Sequence, residues 1–312
     1  MLRIKTFALT LGLSAVMAGS ALAADPASCK TVRFADVGWT DITATTATAS
    51  VILSALGYQP TTQVLSVPVT YTSLANKDID VFLGNWMPTM EADIAPYLEA
   101  KTVETIVTNL EGAKYTLAVP KHTYDAGLKD FADIATFKDK LDNKIYGIEA
   151  GNDGNRLIQD MIDADQFGLK GFELVESSEA GMLSAVQKAA SSKKDVVFLG
   201  WEPHPMNANI EMEYLSGGDD VFGPDFGGAT VATNVRAGYA TECPNVGALL
   251  KNMVFSLEME NEIMGAILND GAQPEAAAKA WLAANPDTLT PWLAGVTTMD
   301  GGDAAAAVKA AL

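Results

Sequence analysis

The sequence is poor in the residues and motifs on which most enzymes depend. It contains 2 histidines in 312 residues, His122 and His204. None of the patterns H-E-x-x-H, G-x-S-x-G or G-x-x-x-x-G-K occurs, so zinc protease, serine hydrolase and P-loop chemistry lack their usual signals. His204 could act as a base, although a lone histidine between two prolines is more often structural. We therefore predict that the chain is not an enzyme and uses no metal or cofactor.

Cysteine is also scarce. The 2 cysteines, Cys29 and Cys243, are far apart in sequence, and no C-x-x-C pair is present to indicate redox or metal chemistry. In an oxidising compartment they can form one disulfide. Such a bond would place Cys29 and Cys243 in the same lobe.

The chain also lacks an apolar run long enough to cross a membrane and an excess of basic residues. Residues 7–16 are apolar, follow Arg3 and Lys5, and precede an A-x-A site ending at Ala23, which predicts a cleaved signal peptide over residues 1–23. No later run approaches the ~20 apolar residues of a membrane helix. Without Arg3 and Lys5, the 19 remaining basic residues face 39 acidic ones, so nucleic acid is an unsuitable partner. We predict an exported, periplasmic protein.

One short apolar run appears twice. Residues 80–88 read DVFLGNWMP and residues 195–203 read DVVFLGWEP, so each run leads through a glycine to a tryptophan, Trp86 or Trp201, with a proline two places later. Continuous apolar strands of this kind are typical of buried parallel sheets, whose ligands gather at the carboxyl ends of the strands. Each indole could instead fill the top of its own lobe. The repetition favours a shared cleft.

The rest of the chain predicts an α/β fold in two lobes. Strand-like segments alternate with helical ones, and ~290 residues exceed one compact core. We expect a helix over residues 42–56 ended by Gly57, a strand over 63–67, and helical structure over 246–268. The first lobe would contain residues 24–113 and 217–312, and the second lobe residues 114–216. The two crossings would form a hinge on which the lobes close.

Aromatic residues stand at the predicted strand ends and at one crossing. These are Trp39, Trp86, Trp201 and Tyr115. Four rings from both lobes could form a cage for a quaternary ammonium group, because ring faces attract a cation that cannot donate hydrogen bonds.

The motifs around these rings resemble those of the substrate-binding proteins of glycine betaine/choline ABC importers, and of the choline-binding members most. They are GWTD at 38–41, GNWMP at 84–88, AKYT at 113–116, GNDGN at 151–155 and GWEP at 200–203. The resemblance covers the mature chain. It implies a type II periplasmic binding protein fold, the cage just named, a Cys29–Cys243 disulfide, and a permease and ATPase as partners. It also places Asp41 near the ammonium and Asn152 near the choline hydroxyl.

The residues themselves leave alternatives for the two polar positions. Asp41 could only cap the helix that it opens, and Asn152 could only shape a turn. If Asp41 faces the cleft, it balances a cation and opposes a ligand carboxylate.

Three functions therefore stay open. The first is a monomeric choline receptor of an ABC importer. The second is a receptor for glycine betaine or another betaine or choline ester, with Lys114 or an amide at the Asn152 turn meeting a carboxylate. The third, an exported hydrolase, needs a nucleophile or acid pair that the sequence does not show.

Overall fold

The computed structural model describes residues 25–312. The predicted signal peptide, residues 1–23, lies outside the described residues. Between residues 25 and 312, no helix is long and apolar enough to cross a membrane.

Nine strands form one continuous mixed sheet with the order β2-β1-β3-β9-β4-β7-β5-β6, and β8 pairs with β4 beside this path. The strands are β1 (Thr31–Asp36), β2 (Gln59–Val64), β3 (Val81–Met87), β4 (Val103–Pro120), β5 (Lys144–Tyr146), β6 (Glu173–Val175), β7 (Val197–Glu202), β8 (Met212–Tyr214) and β9 (Gly228–Arg236). Strands β1, β2 and β3 are parallel to one another, as are β5, β6 and β7, whereas β4 and β9 run antiparallel to their neighbours.

Helices pack around this sheet. They are α1 (Thr40–Ala55), α2 (Val67–Ala75), α3 (Glu91–Glu99), α4 (Lys121–Asp125), α5 (Asp153–Asp163), α6 (Glu179–Ser191), α7 (Met206–Asn209), α8 (Asp219–Phe222), α9 (Pro224–Gly227), α10 (Tyr239–Glu242), α11 (Pro244–Asn252), α12 (Leu257–Leu268), α13 (Pro274–Ala284), α14 (Leu289–Trp292) and α15 (Ala304–Ala311). Short 3₁₀ turns cover Ala27–Cys29, Phe131–Phe137, Gln166–Gly168 and Pro286–Thr288.

The long strand β4 belongs to both halves of the molecule. Its amino-terminal part pairs with β9, and its carboxyl-terminal part pairs with β7. Lys114 lies at the change of partner, since it pairs with Glu202 of β7 and with Gly228 of β9. We call the half built on β1, β2, β3, β9 and the start of β4 the first lobe, and the half built on the end of β4 and β5 to β8 the second lobe. The predicted two-lobed α/β architecture is confirmed.

Cys29 and Cys243 form a disulfide, with their Cα atoms 5.7 Å apart. It joins the turn before β1 to the start of α11, so the last third of the chain is fastened to the first lobe. The predicted disulfide is thus present.

Three local expectations need correction or adjustment. The strand expected over residues 63–67 ends at Val64, because Pro68 in the first turn of α2 favours a helix start. The helical stretch over 246–268 is broken, since the Ser256 side chain accepts from Met259 N and begins α12 anew. Trp86 and Trp201 lie within β3 and β7 rather than after them.

Candidate ligand-binding site

The four predicted cage residues line one cavity. The space between them, including its opening to solvent, is about 240 Å³. The lining residues are Trp39, Asp41, Trp86, Tyr115, Ile148 and Trp201. They come from both lobes, so the cavity lies between the lobes and is not confined to either.

Strand pairing explains why these rings meet. Tyr115 of β4 stands directly opposite Trp201 of β7 in the antiparallel ladder, and the two ring centroids are 6.4 Å apart. Trp86, near the end of β3, reaches Tyr115 from the first lobe at 5.9 Å. Trp39 is the residue before α1, and its side chain is almost fully buried. Trp39, Trp86 and Trp201 therefore lie at or near the ends of regular elements, and Tyr115 lies beside the partner change within β4.

The indole N–H groups of two cage residues are held by carboxylates. Trp86 Nε1 donates to Asp41 Oδ2 at 3.1 Å. Trp39 Nε1 donates to Glu149 Oε1 across the lobe boundary. Because these donors already have acceptors, the rings offer the cavity mainly π-electron surface.

Asp41 is a buried acidic group with no cationic partner among the described residues. It is 1% exposed, and no partner for its Oδ1 atom is found among residues 25–312. Burial, followed by repulsion from the nearby Glu179 carboxylate, raises the Asp41 pKa to about 8. The Oδ1 atom is thus available to a ligand.

Asn152 has a structural role beside the cavity. Its Oδ1 caps α5 by accepting from Asn155 N at 3.0 Å, and the Tyr115 hydroxyl donates to the same oxygen at 2.9 Å. Its Nδ2 donates to Asp153 Oδ1 at 3.0 Å. Burial raises the Tyr115 pKa well above its usual value, so the phenol stays protonated as a donor. Asn152 thus holds the Tyr115 ring, and it does not itself line the cavity.

Gly154 permits this contact. A Cβ atom at Gly154 would lie 2.1 Å from the Tyr115 Oη atom. Only glycine at this position of α5 leaves room for the phenol.

Two residues near the cavity were not predicted. Ile148 adds an apolar wall, and Glu149 accepts from Trp39. Burial raises the Glu149 pKa. Both follow the parallel strand β5 at the end where ligands of α/β sheets gather.

Two other candidates lie elsewhere. His204 is buried beside Trp201, with ring centroids 4.9 Å apart, and its two ring nitrogens contact Glu179 and Met206 N. The Lys114 Nζ lies 5.7 Å from the centre of the Tyr214 ring and is not part of the cavity wall. Within residues 25–312, no group of acidic, histidine or cysteine side chains is arranged to hold a metal.

The cavity is therefore suited to a small organic cation. Its wall combines aromatic faces with one ionisable acidic side chain, Asp41, and contains no lysine or arginine among the described residues. An anion would meet a buried carboxylate there without a compensating cation.

Comparison with known proteins agrees with this chemistry. Residues 30–284 match the family described as the substrate-binding domain of ABC-type glycine betaine transport systems. A solved structure of an ABC-transporter choline binding protein in complex with choline is 71% identical, covers 92% of this chain and 99% of its own, and superposes with a TM-score of 0.91.

Two further relatives differ in conformation or distance. An unliganded semi-closed structure of an ABC-transporter choline binding protein, also 71% identical, covers 91% of this chain and 99% of its own, with a TM-score of 0.84. The glycine betaine/carnitine transport binding protein GbuC of Listeria monocytogenes is 32% identical over 53% of this chain. The matched segment spans 54% of GbuC. The present fold is closer to the choline-bound structure than to the semi-closed one.

Proposed function

The chain belongs to the substrate-binding domains of ABC-type glycine betaine transport systems, and from this premise we propose that its own ligand is choline. The family and the structural relatives are transport proteins, which confirms the predicted substrate-binding role and the prediction that the chain is not an enzyme. The proposal that this ligand is choline is supported by the residues that line the cavity.

One observation carries the proposal: rings from both lobes and a single carboxylate enclose one cavity. The trimethylammonium group would lie among Trp39, Trp86, Tyr115 and Trp201, with Asp41 as its counter-ion. A desolvated cation–π contact contributes up to ~2 kcal/mol, so several contacts together with methyl burial reach the roughly 8 kcal/mol of micromolar binding. Asn152, which holds Tyr115, is proposed to face the choline hydroxyl side of the cage.

Choline is favoured over glycine betaine by charge. The betaine carboxylate would enter a cavity whose one ionisable carboxyl group, Asp41, must ionise to pair with the ammonium and would then repel the betaine carboxylate, and Lys114 lies over the Tyr214 ring instead. The choline hydroxyl brings no second charge. The relative with the TM-score of 0.91 holds choline, which agrees with this choice.

The setting of the protein is part of the same proposal. We place it in the periplasm, exported by the segment that ends near Ala23, and assign it a permease and an ATPase as partners. It would act as a monomer, because closing requires free lobes. The proposed lobe limits are residues 24–113 with 217–312, and residues 114–216. The partner change of β4 at Lys114 supports the first crossing.

A competition titration tests the ligand. Tryptophan fluorescence is followed while choline or glycine betaine is added, alone and then against each other. We expect saturable quenching by choline in the micromolar range and displacement of glycine betaine by choline. Tighter binding of glycine betaine would overturn the choice of choline and leave the betaine receptor.

A further inference from the structure

Glu179 connects the two halves of the cage without lining it. It is the first residue of α6 in the second lobe and is 5% exposed. Its Oε2 accepts from Thr40 N at 2.9 Å, and its Oε1 accepts from the Thr40 hydroxyl at 2.5 Å. Thr40 begins α1 in the first lobe. Both carboxylate oxygens are therefore used across the boundary between the lobes.

The third donor to Glu179 comes from the second lobe. His204 Nδ1 accepts from Met206 N at 2.9 Å, so in the neutral imidazole the proton is on Nε2. That nitrogen lies 3.2 Å from Glu179 Oε1 and donates to it. Among the described residues, Glu179 forms no ion pair with a lysine or arginine. Its charge is thus stabilised by three hydrogen-bond donors.

These donors are attached to cage residues. Thr40 stands between Trp39 and Asp41, and both of these line the cavity. The His204 ring packs against the Trp201 ring. A shift of Glu179 would move the start of α1 in the first lobe and the His204 ring that packs against Trp201 in the second lobe.

An acidic residue in the first turn of a helix is common, because the helix dipole favours it there. That general role does not explain the present contacts. The α6 cap is already provided by Ser178, whose side chain accepts from Gly181 N. The Glu179 oxygens accept from Thr40, which is 139 positions away in sequence, and from the His204 ring.

We propose that Glu179 is a positioning residue that holds the first-lobe and second-lobe parts of the cage together and thereby sets how long a bound ligand stays. The proposal rests on the proposed choline function. Glu179 touches no ligand in this scheme. Its contacts with Thr40 form when the lobes close. They therefore slow the reopening of the lobes and the dissociation of the ligand, and they leave the association of the ligand with the open form unaffected.

Glu179→Gln is the informative substitution. An amide has one acceptor oxygen, whereas Thr40 N and His204 Nε2 each need an acceptor on a different side-chain atom. One buried N–H therefore faces an NH₂ group. Such a loss is of the order of a factor of ten in an equilibrium. We expect choline to dissociate about tenfold faster in stopped-flow fluorescence, with an association rate within about twofold of wild type.

Two further variants make the test specific. Glu275→Gln removes the same charge from an exposed position in the first turn of α13 and should leave both rates unchanged. Thr40→Val removes one donor but keeps the backbone N–H, and should raise the dissociation rate by a smaller factor. If Glu179→Gln does not fold, Thr40→Val carries the measurement.

The outcomes separate the two proposals. Wild-type protein that fails to bind choline refutes the proposed function. Wild type that binds choline while both the Glu179→Gln and Thr40→Val variants dissociate at the wild-type rate refutes the positioning role alone. A Glu179→Gln variant whose association rate is about tenfold lower and whose dissociation rate is unchanged also refutes the positioning role.

Discussion

Replacing Asp41 by asparagine tests the charge balance of the cage. The amide is nearly the same size as the carboxylate and can still accept from Trp86 Nε1, so the main change is the lost negative charge. We expect choline binding to weaken and its dependence on pH to flatten.

The expected loss of choline affinity follows from two opposing free-energy contributions. A choline nitrogen about 4.5 Å from the carboxylate is attracted by about 3.7 kcal/mol at an effective dielectric constant of about 20. Ionising Asp41 at pH 7, against a pKa of about 8 in the empty closed cage, costs about 1 kcal/mol. The remaining attraction of roughly 2–3 kcal/mol corresponds to choline binding to the variant that is weaker by a factor on the order of fifty at pH 7.

The pH profile separates the charge from other effects. Choline keeps its charge at every pH, whereas the raised Asp41 pKa means that the carboxyl must release a proton to pair with it. Wild-type affinity should therefore rise about tenfold from pH 7 to pH 9 and level off above pH 8. The asparagine variant lacks this rise, although Glu149 and Asp153 titrate in both proteins.

Calorimetric titration with choline at pH 7 and pH 9 measures both quantities. The exposed Asp270→Asn variant serves as a control and should match wild type at each pH. Equal choline affinities of wild type and Asp41→Asn at both pH values would refute the assigned role of Asp41.

Three other changes should have distinct effects. Trp201→Ala removes one ring face and its methyl contacts, so choline binding by calorimetry should weaken at least about thirtyfold. Gly154→Ala places a methyl group where the Tyr115 hydroxyl lies, so both choline affinity and melting temperature should fall. Replacing Cys29 and Cys243 by serine should lower the free energy of unfolding in urea by about 2–5 kcal/mol while the folded protein keeps its choline affinity.

Matched variants control the tryptophan and glycine predictions. Trp281 bonds to Glu262 away from the cavity, so Trp281→Ala should bind choline normally. Gly265 lies in α12 with open space at its Cβ position, so Gly265→Ala should be neutral or slightly stabilising. Normal binding by Trp201→Ala, a neutral Gly154→Ala, or lost choline binding in the folded cysteine variant would contradict the respective prediction.

The aromatic part of the cavity could be predicted because it follows from strand chemistry. Buried apolar strands bring their ends to one edge of a sheet, and Trp86 and Trp201 lie near such ends. The position of Lys114 illustrates the limit. It precedes Tyr115 in β4, and since side chains alternate along a strand, it projects to the other face of the sheet, near Tyr214.

Contacts between the two lobes could not be predicted from the sequence. Glu179 and Thr40 are far apart in the chain, and no periodic pattern relates them. The length of β4 also depends on tertiary pairing, because its ladder with β9 continues past Gly112 to Lys114. The burial that raises the pKa of Asp41 arises only when both lobes are in place.

The most direct test of the cage compares choline with 3,3-dimethyl-1-butanol, which has the same shape but a neutral carbon in place of the charged nitrogen. Both are titrated into wild-type protein in a calorimeter at pH 8. Four ring faces and one carboxylate should favour the cation by at least about a hundredfold. Equal affinities would show that the cavity selects shape and not charge, and would contradict the account.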